Sequence, residues 1–457
     1  MKHKLLLYIS LAAVVFTTAC RKYVEIAPVQ QRVLEYTADY EALLNNSTYM
    51  DRTYTYPLYA EDDAGADTAT WQNGLNGNTN GFAYTWAEKL IALSTADDND
   101  WYNMYFSIYQ TNLIIVNVMN SKGGTDAQKR KVLAAAQVHR AFYYHTLVNM
   151  YAKQYDSATA NTDLGLPLRL DDLITGSLKR VSVQAVYNQI LADLNSAVAT
   201  AELPNLPDFT NNASKTAAYA MLARTYLDMR NFPKAEEAAN NALQLQSTVN
   251  NLNNYVTSLL TYPQKHVDPE LIFSKAATNV NNFPLSPAQL ALFADTSDLR
   301  FRLFTAKGSD VSVTYLTRIY ARTRRISGQS FISGPTVPEM MLIKAECEAR
   351  AGSAGNAVAQ LNALRKSRFT PAQYQDLTAA TPAEALQLVI RERKIELMCT
   401  GRRWFDQRRL AKDGLTPTIT RLFRGTTYTL EPGSNRYVFP IADKYILQNP
   451  EIEQNPR

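Results

Sequence analysis

The sequence predicts a mostly α protein: a scaffold of paired helices, interrupted by irregular, loop-rich insertions that carry a few short strands. Three observations predict it. Residues 129–151 and 183–201 hold apolar side chains at i, i+3, i+4 spacing over several turns. Small residues recur across 219–242, where two helices would have to approach closely. Residues 382–410 place apolar side chains on two helical stripes, the pattern of a helix packed on both sides.

In chain order, the start stands apart. Lys2 and Lys4 precede an apolar run from Leu5 to Phe16 that is too short to cross a bilayer. Thr17-Thr18-Ala19-Cys20 closes it with small residues and a cysteine. Residues 1–19 therefore read as a secretory signal peptide, and 20–457 as a single domain. The end of the leader resembles a bacterial lipobox, whose cysteine is cut free at its amine and acylated. Thr17 stands where that motif usually has an aliphatic residue. An ordinary signal peptide cut near Ala19 is the alternative.

Residues 21–36 are polar and without period, as in an exposed tether. Asp39 to Leu44 begins the first helix. Residues 46–100 are the least regular stretch. Tyr49, Tyr54, Tyr56, Tyr59, Trp71, Tyr84 and Trp86 recur there without helical spacing. Trp101 to Ile108 opens a helix. On the helix from Lys129 to Tyr151, Leu133, Ala136, Ala141 and Tyr144 keep one apolar face. Ser182 caps the next helix, on which Tyr187, Ile190, Leu191 and Leu194 line one side, and Pro204 and Pro207 end it.

Tyr219, Leu222, Ala223, Tyr226, Ala235 and Ala242 then follow the tetratricopeptide pattern, with a weaker copy at Met341, Ala345, Ala357, Leu361 and Leu364. Two copies are too few for an independent solenoid, so the helices at 129–151 and 183–201 are expected to supply degenerate copies. The repeat helices would span about 129–245 and 338–410, with irregular segments at about 46–101 and 246–335. The second of these contains Pro263, Pro269, Pro284 and Pro287. Its alternating run Val311 to Tyr315 reads as a short strand, and Tyr428 to Pro440 reads as extended.

The stretch Arg391 to Leu410, RERKIELMCTGRRWFDQRRL, reads as one helix begun near Pro382. Leu386, Ile390, Leu397 and Trp404 form one stripe; Leu388, Ile395 and Cys399 form the other. Glu392, Glu396, Arg393 and Arg403 lie between or beside them. Charges so close to a packed seam must be paired, because an unpaired buried charge costs several kcal/mol or more. The helix is therefore expected to be a central strut cross-linked by Arg–Glu pairs.

The same residues carry a resemblance. Glu392-Arg393, Ile395-Glu396-Leu397, Gly401, Arg403-Trp404-Phe405-Asp406 and Arg408-Arg409 resemble the signature of the SusD/RagB family, surface glycan-binding lipoproteins of Bacteroidota. Three further stretches are similar to that family. They are the start (Cys20, Pro28, Asp39-Tyr40-Glu41, Leu43-Leu44-Asn45), the series Trp101, Tyr105, Ile108, Asn112, and the tail from Val438-Phe439-Pro440-Ile441 to Asn455-Pro456. The resemblance implies an outer-membrane, lipid-anchored protein that binds an oligosaccharide without cleaving it. It implies as partner a SusC-like TonB-dependent transporter, over which it closes as a lid. Many such lipoproteins carry an acidic run after the cysteine; here Arg21, Lys22 and a lone Glu25 stand instead. A helical-repeat scaffold lipoprotein facing the periplasm is therefore the alternative, and a peptide ligand is a further one.

Composition and motifs exclude other classes. A net charge of +5, with no basic block interleaved with aromatics, does not suggest nucleic acid. Three cysteines make no disulfide scaffold, and Cys347 and Cys399 read as two buried free thiols in preference to a disulfide. Glu392 and Glu396 sit one turn apart on one helix, whereas glycosidase carboxylates face each other across a cleft. His139 and His145 are i, i+6, not the i, i+4 metal pair. Neither metal nor cofactor is expected. Glu61, Asp62, Asp63 and Asp67 could bind calcium, but a solvated acidic loop is the favoured reading.

A binding surface remains. Sugars offer C–H faces that stack on flat rings and hydroxyls that need paired donors and acceptors. The segment 46–101 supplies both residue types, and its candidates are Trp71, Asn73, Trp86 and Trp101. Core packing is the competing role for each.

Overall fold

The computed structural model describes residues 34–66, 68–277, 283–293, 297–313, 315–322, 326 and 330–457. The expected signal peptide, Cys20 and most of the expected tether lie outside the described residues, as does Asp67.

Ten helices make the frame. They are α1 (Thr37–Leu44), α2 (Asn99–Asn117), α3 (Asp126–Tyr151), α4 (Val183–Ala199), α5 (Lys215–Asp228), α6 (Phe232–Leu245), α7 (Val337–Arg350), α8 (Ala354–Arg365), α9 (Pro382–Glu396) and α10 (Arg402–Leu410). Their starts are chemically marked. Thr125 and Gln128 form a capping box on α3, Ser182 accepts from Ala185 N on α4, and Thr336 and Thr381 cap α7 and α9 just before a proline.

From α2 to α9 each helix packs on the next, so the frame is one stack of neighbours. The 246–336 insertion leaves it after α6 and returns at α7, yet α6 and α7 pack directly on each other. Ala217, Ala218, Ala220 and Ala223 on α5 face a frame that also buries Ala235, Ala238, Ala239 and Ala242 of α6. The small-residue pattern thus marks the closest helix pair, as the repeat predicts. The expected helical-repeat architecture is the observed one.

The strands are short: β1 (Leu164–Pro167), β2 (Arg180–Ser182), β3 (Ala276–Ala277), β4 (Phe283–Pro284), β5 (Thr305–Lys307), β6 (Arg318–Tyr320), β7 (Phe331–Ile332), β8 (Ile419–Phe423) and β9 (Thr426–Leu430). All pair antiparallel, as β1–β2, β3–β7, β4–β6–β5 and β8–β9. Residues 311–315 are not the strand expected. The described part is turn and loop, and the strands are β5 and β6 on either side of it. Tyr428 lies in the second strand of a hairpin whose turn, Arg424-Gly425, takes φ of 50° and 80°. Two consecutive left-handed residues match the twist of a tight hairpin.

The expected single helix through 382–410 is two helices. The chain breaks at 397–401, where Cys399 has φ 56° and Gly401 has φ 77°. A side chain at Gly401 would strike the Tyr54 ring, with Cε2 only 2.3 Å from an added Cβ. Tyr54 Oη donates to Thr400 O, Cys399 N donates to Asp63 and Gly401 N donates to Glu61. The break is thus pinned by residues 54–63.

This also corrects the acidic triplet. Glu61, Asp62 and Asp63 are buried, not a solvated loop. Asp62 receives Arg403 and Lys394 at 3.0 and 2.9 Å. Among the described residues, no group of three His, Cys, Asp or Glu side chains is placed to hold a metal.

The ion pairing of the strut is as expected. Glu396 accepts from Arg300 and Arg368, Glu392 pairs with Arg300 and Arg365, and Arg393 bridges Asp406 and Glu339. All nine residues of α10 are buried. Trp404 stacks on Phe439 with ring centroids 5.2 Å apart and planes 10° from parallel. Cys347 and Cys399 are free and buried.

Candidate functional site

The four sequence candidates fall in three different environments. Trp71 and Asn73 sit on a short helix, Ala69–Leu75, whose N-cap Thr68 accepts from Trp71 N at 3.0 Å. Trp71 is half-buried. Its ring lies 5.5 Å from that of Tyr315, inclined at 47°. Tyr315 comes from the loop between β5 and β6 and is 9% exposed, beside the fully projecting Val313 and Leu316.

The hairpin turn brings a third segment. Arg424 N donates to Gln72 Oε1 at 2.7 Å, and its guanidinium donates to the exposed Asn73 side chain. Gln72 in turn donates to Ala66 O at 2.6 Å. Three stretches far apart in sequence therefore converge: 71–73, Tyr315 and 422–424. They present the half-buried Trp71 ring, backed by the buried Tyr315, with an amide and a guanidinium beside it.

Trp86 is not part of it. It is 2% exposed, donates its indole N–H to Ala60 O at 3.0 Å, and has the Arg421 guanidinium 4.5 Å from its ring centroid. It is a core residue with both faces taken, which corrects the expectation that it meets a ligand.

Trp101 lies elsewhere. It opens α2, where Asp98 accepts from its backbone N–H at 3.0 Å. Its ring is 6% exposed and packs on Tyr105, Tyr151 and Tyr445 at 4.8, 5.0 and 6.0 Å. One edge lines an apolar groove of about 470 Å³ formed with Tyr102, Phe106, Leu173 and Ile174. Trp71 and Trp101 do not share a cavity: neither of the two large clefts is lined by both.

A larger and more polar cleft, about 980 Å³, was not foreseen from the sequence. Its walls are residues 47–56, 78–80 and 99–103, with Lys265 and Ser330 on the far side. Arg52 is fixed there, donating to Thr48 O at 2.7 Å and to Asn103 Oδ1 at 2.8 Å. Asp100 accepts from Thr55 N and Tyr56 N at 2.7 and 2.9 Å. Burial, then the nearby Asp98 charge, pushes its carboxyl up to about 7. Asp51 also lines this cleft. No sequence signal distinguished Asp51, one carboxylate between Met50 and Arg52 in a polar stretch.

The carboxylates and histidines weighed for catalysis are committed elsewhere. Burial would raise the Glu396 carboxyl, but Arg368 and Arg300 hold it down to about 2. His145 pairs with Asp228 at 2.9 Å, and His139 meets the buried Lys275 amine at 2.9 Å.

Comparisons with known proteins bear on this arrangement. A family model described as starch-binding, associating with the outer membrane, matches residues 22–227, and the SusD family model matches 337–457. A SusD-like protein of Formosa agariphila is 25% identical over 122 residues. That match spans 26% of this chain and only 22% of the relative's length.

Among solved structures, a SusD superfamily protein of Bacteroides thetaiotaomicron superposes with a TM-score of 0.73 at 21% identity, covering 92% of this chain and all of that one. A SusD-like carbohydrate binding protein of Bacteroides vulgatus gives 0.67 at 20% identity, over 92% and 97% of the two chains. A laminarin-binding SusD-like protein gives 0.64 at 18% identity, over 92% and 98%. At these identities the structural likeness speaks for the fold.

Proposed function

The chain belongs to the SusD family, and we propose that it is a non-enzymatic glycan-binding lipoprotein that passes an oligosaccharide to a SusC-like TonB-dependent transporter. One observation carries the reading: the half-buried Trp71 ring, backed by the buried Tyr315, lies beside the exposed Asn73 and Arg424, brought together from three separate segments. Sugar C–H faces stack on such rings, and the amide and guanidinium meet ring hydroxyls. The laminarin-binding neighbour supports a glycan as the ligand class.

The protein is held at the outer membrane by lipid on Cys20 and faces outward. Two or more acyl chains anchor stably, so Cys20→Ser should release it into the soluble fraction. Among the described residues no helix is long and apolar enough to cross a membrane.

A glycan array followed by calorimetry tests the function. The purified protein should bind an oligosaccharide at roughly micromolar to millimolar affinity, about −8 to −4 kcal/mol. Chromatography should recover the sugar intact. Trp71→Ala should weaken binding and keep the fold. Cleaved sugar would mean an enzyme. Binding to no glycan would favour peptide import or a scaffold role facing the periplasm.

A further inference from the structure

The polar cleft holds one group that the fold leaves unfinished. Asp51 is 7% exposed, and among the described residues neither of its carboxylate oxygens has a hydrogen-bond partner. Its backbone is fixed: Asp51 N donates to Ser47 O at 3.0 Å, and Asp51 O accepts from Ala276 N at 2.9 Å. Lys265 Nζ stands 4.0 Å from Oδ2, too far to donate a hydrogen bond. Burying a carboxylate without donors is costly, so native structures rarely leave one so.

We propose that the cleft is a second ligand site, and that it takes a neutral sugar residue that donates vicinal hydroxyls to the Asp51 carboxylate. The class of ligand rests on the glycan reading; the place does not rest on the Trp71 surface. The cavity, about 980 Å³, is at the upper end of the range of small-molecule sites, roughly 300–1,000 Å³. Its lining offers Thr48, Thr79 and Ser330 hydroxyls and Asn80 and Asn103 amides, the donors and acceptors that further ring hydroxyls need.

Charge decides between ligand types. The fields of Lys275, Lys265 and His266 already act on Asp51, so a cationic sugar would meet like charge. An acidic sugar would meet the carboxylate itself. Neutral hydroxyls bring what is missing, two O–H donors to an ionised acceptor, the stronger kind of hydrogen bond.

The test uses glucose, galactose, mannose and xylose, with glucosamine and glucuronic acid as charged controls. Binding to the purified protein is followed by calorimetry and saturation-transfer NMR. At least one neutral monosaccharide should bind more tightly than its charged counterpart. Asp51→Asn, which keeps the shape, should weaken it roughly tenfold or more, and by the same factor in a chain that already carries Trp71→Ala.

Should Asp51→Asn fail to fold, Asn80→Trp narrows the cleft from its half-buried wall and should abolish the same binding. No neutral monosaccharide bound, or equal affinity in Asp51→Asn and Asn80→Trp, overturns the proposal. Oligosaccharide binding lost in Trp71→Ala but untouched by both cleft variants would overturn it too, and would leave the primary glycan reading standing.

Discussion

The strut of α9 and α10 and the cleft walls at residues 47–56 and 99–103 treat buried charge in opposite ways. On the strut nearly every charged side chain has an ionic partner: Glu392, Arg393, Lys394, Glu396, Arg402, Arg403, Asp406 and Arg409. Among the described residues Glu384, Arg391 and Arg408 have none; the buried Arg408 donates to Ala152 O instead, and burial pulls its guanidinium down to about 10. On the cleft walls, Asp51 has Lys265 at 4.0 Å but no hydrogen-bond donor among the described residues, and Asp100 is held by neutral backbone N–H groups and Thr55. Paired charges make a rigid frame. A charge left incomplete beside a cavity is a group available to a ligand.

The largest effect should come from breaking the frame. Glu339 is fully buried, accepts from Arg224 and Arg393, and has the Arg402 guanidinium 3.5 Å away. Burial favours its neutral form, yet the three arginines hold it down to about 2. Glu339→Ala strands Arg224 and should destabilise by roughly 3–5 kcal/mol, read as a lower Tm. A change no larger than that of a surface substitution would show that the pairs do not hold the frame.

The two regions should also titrate with opposite sign. Burial raises Asp98 to about 6 and Asp100 to about 7, against 3.8 ordinarily. As pH falls through this window the folded chain takes up protons before the unfolded chain, so stability rises. Glu339 and Glu396 sit at about 2, against 4.5. Below 4.5 the unfolded chain binds their protons first, and stability is lost. Unfolding followed by denaturant should show a maximum at about pH 4–5. A monotonic decline from neutral pH downward would mean that the raised aspartates contribute little.

How far the sequence reaches follows the same division. Apolar periodicity and caps located the long helices because those signals are local. The break at 397–401 was hidden because Gly401 is pinned by Tyr54, Glu61 and Asp63 from the other end of the chain. For the same reason the acidic triplet read as solvated: its cation, Arg403, is 341 positions away. Trp71 and Trp86 are the same residue type in one irregular segment, and only the C-terminal hairpin separates them. It sends Arg421 against Trp86 and Arg424 against Asn73.

At the ligand surface the effects should be smaller and confined to binding. Trp71→Ala removes half of an aromatic pair and should weaken oligosaccharide binding roughly tenfold, about 1.4 kcal/mol. Calorimetry on folded protein reads it. Retention of full affinity would move the site off this surface.

The smallest effect separates the surface from the frame most cleanly. Arg424 is exposed and has φ 50°, a left-handed conformation that asparagine adopts more readily than arginine. Arg424→Asn should therefore ease the turn, and its backbone N–H can still donate to Gln72. Stability should stay within about 0.5 kcal/mol of wild type, unlike any change on the strut. The guanidinium that fixes Asn73 is lost, however, and with it a charged donor at the aromatic face. Binding should weaken by roughly threefold, the worth of one exposed hydrogen bond of about 0.5–1 kcal/mol. The two readings diverge on a single variant: calorimetry should register the loss while the melting curve does not move. A drop in Tm with unchanged affinity would mean that the turn belongs to the frame and that the ligand never reaches it.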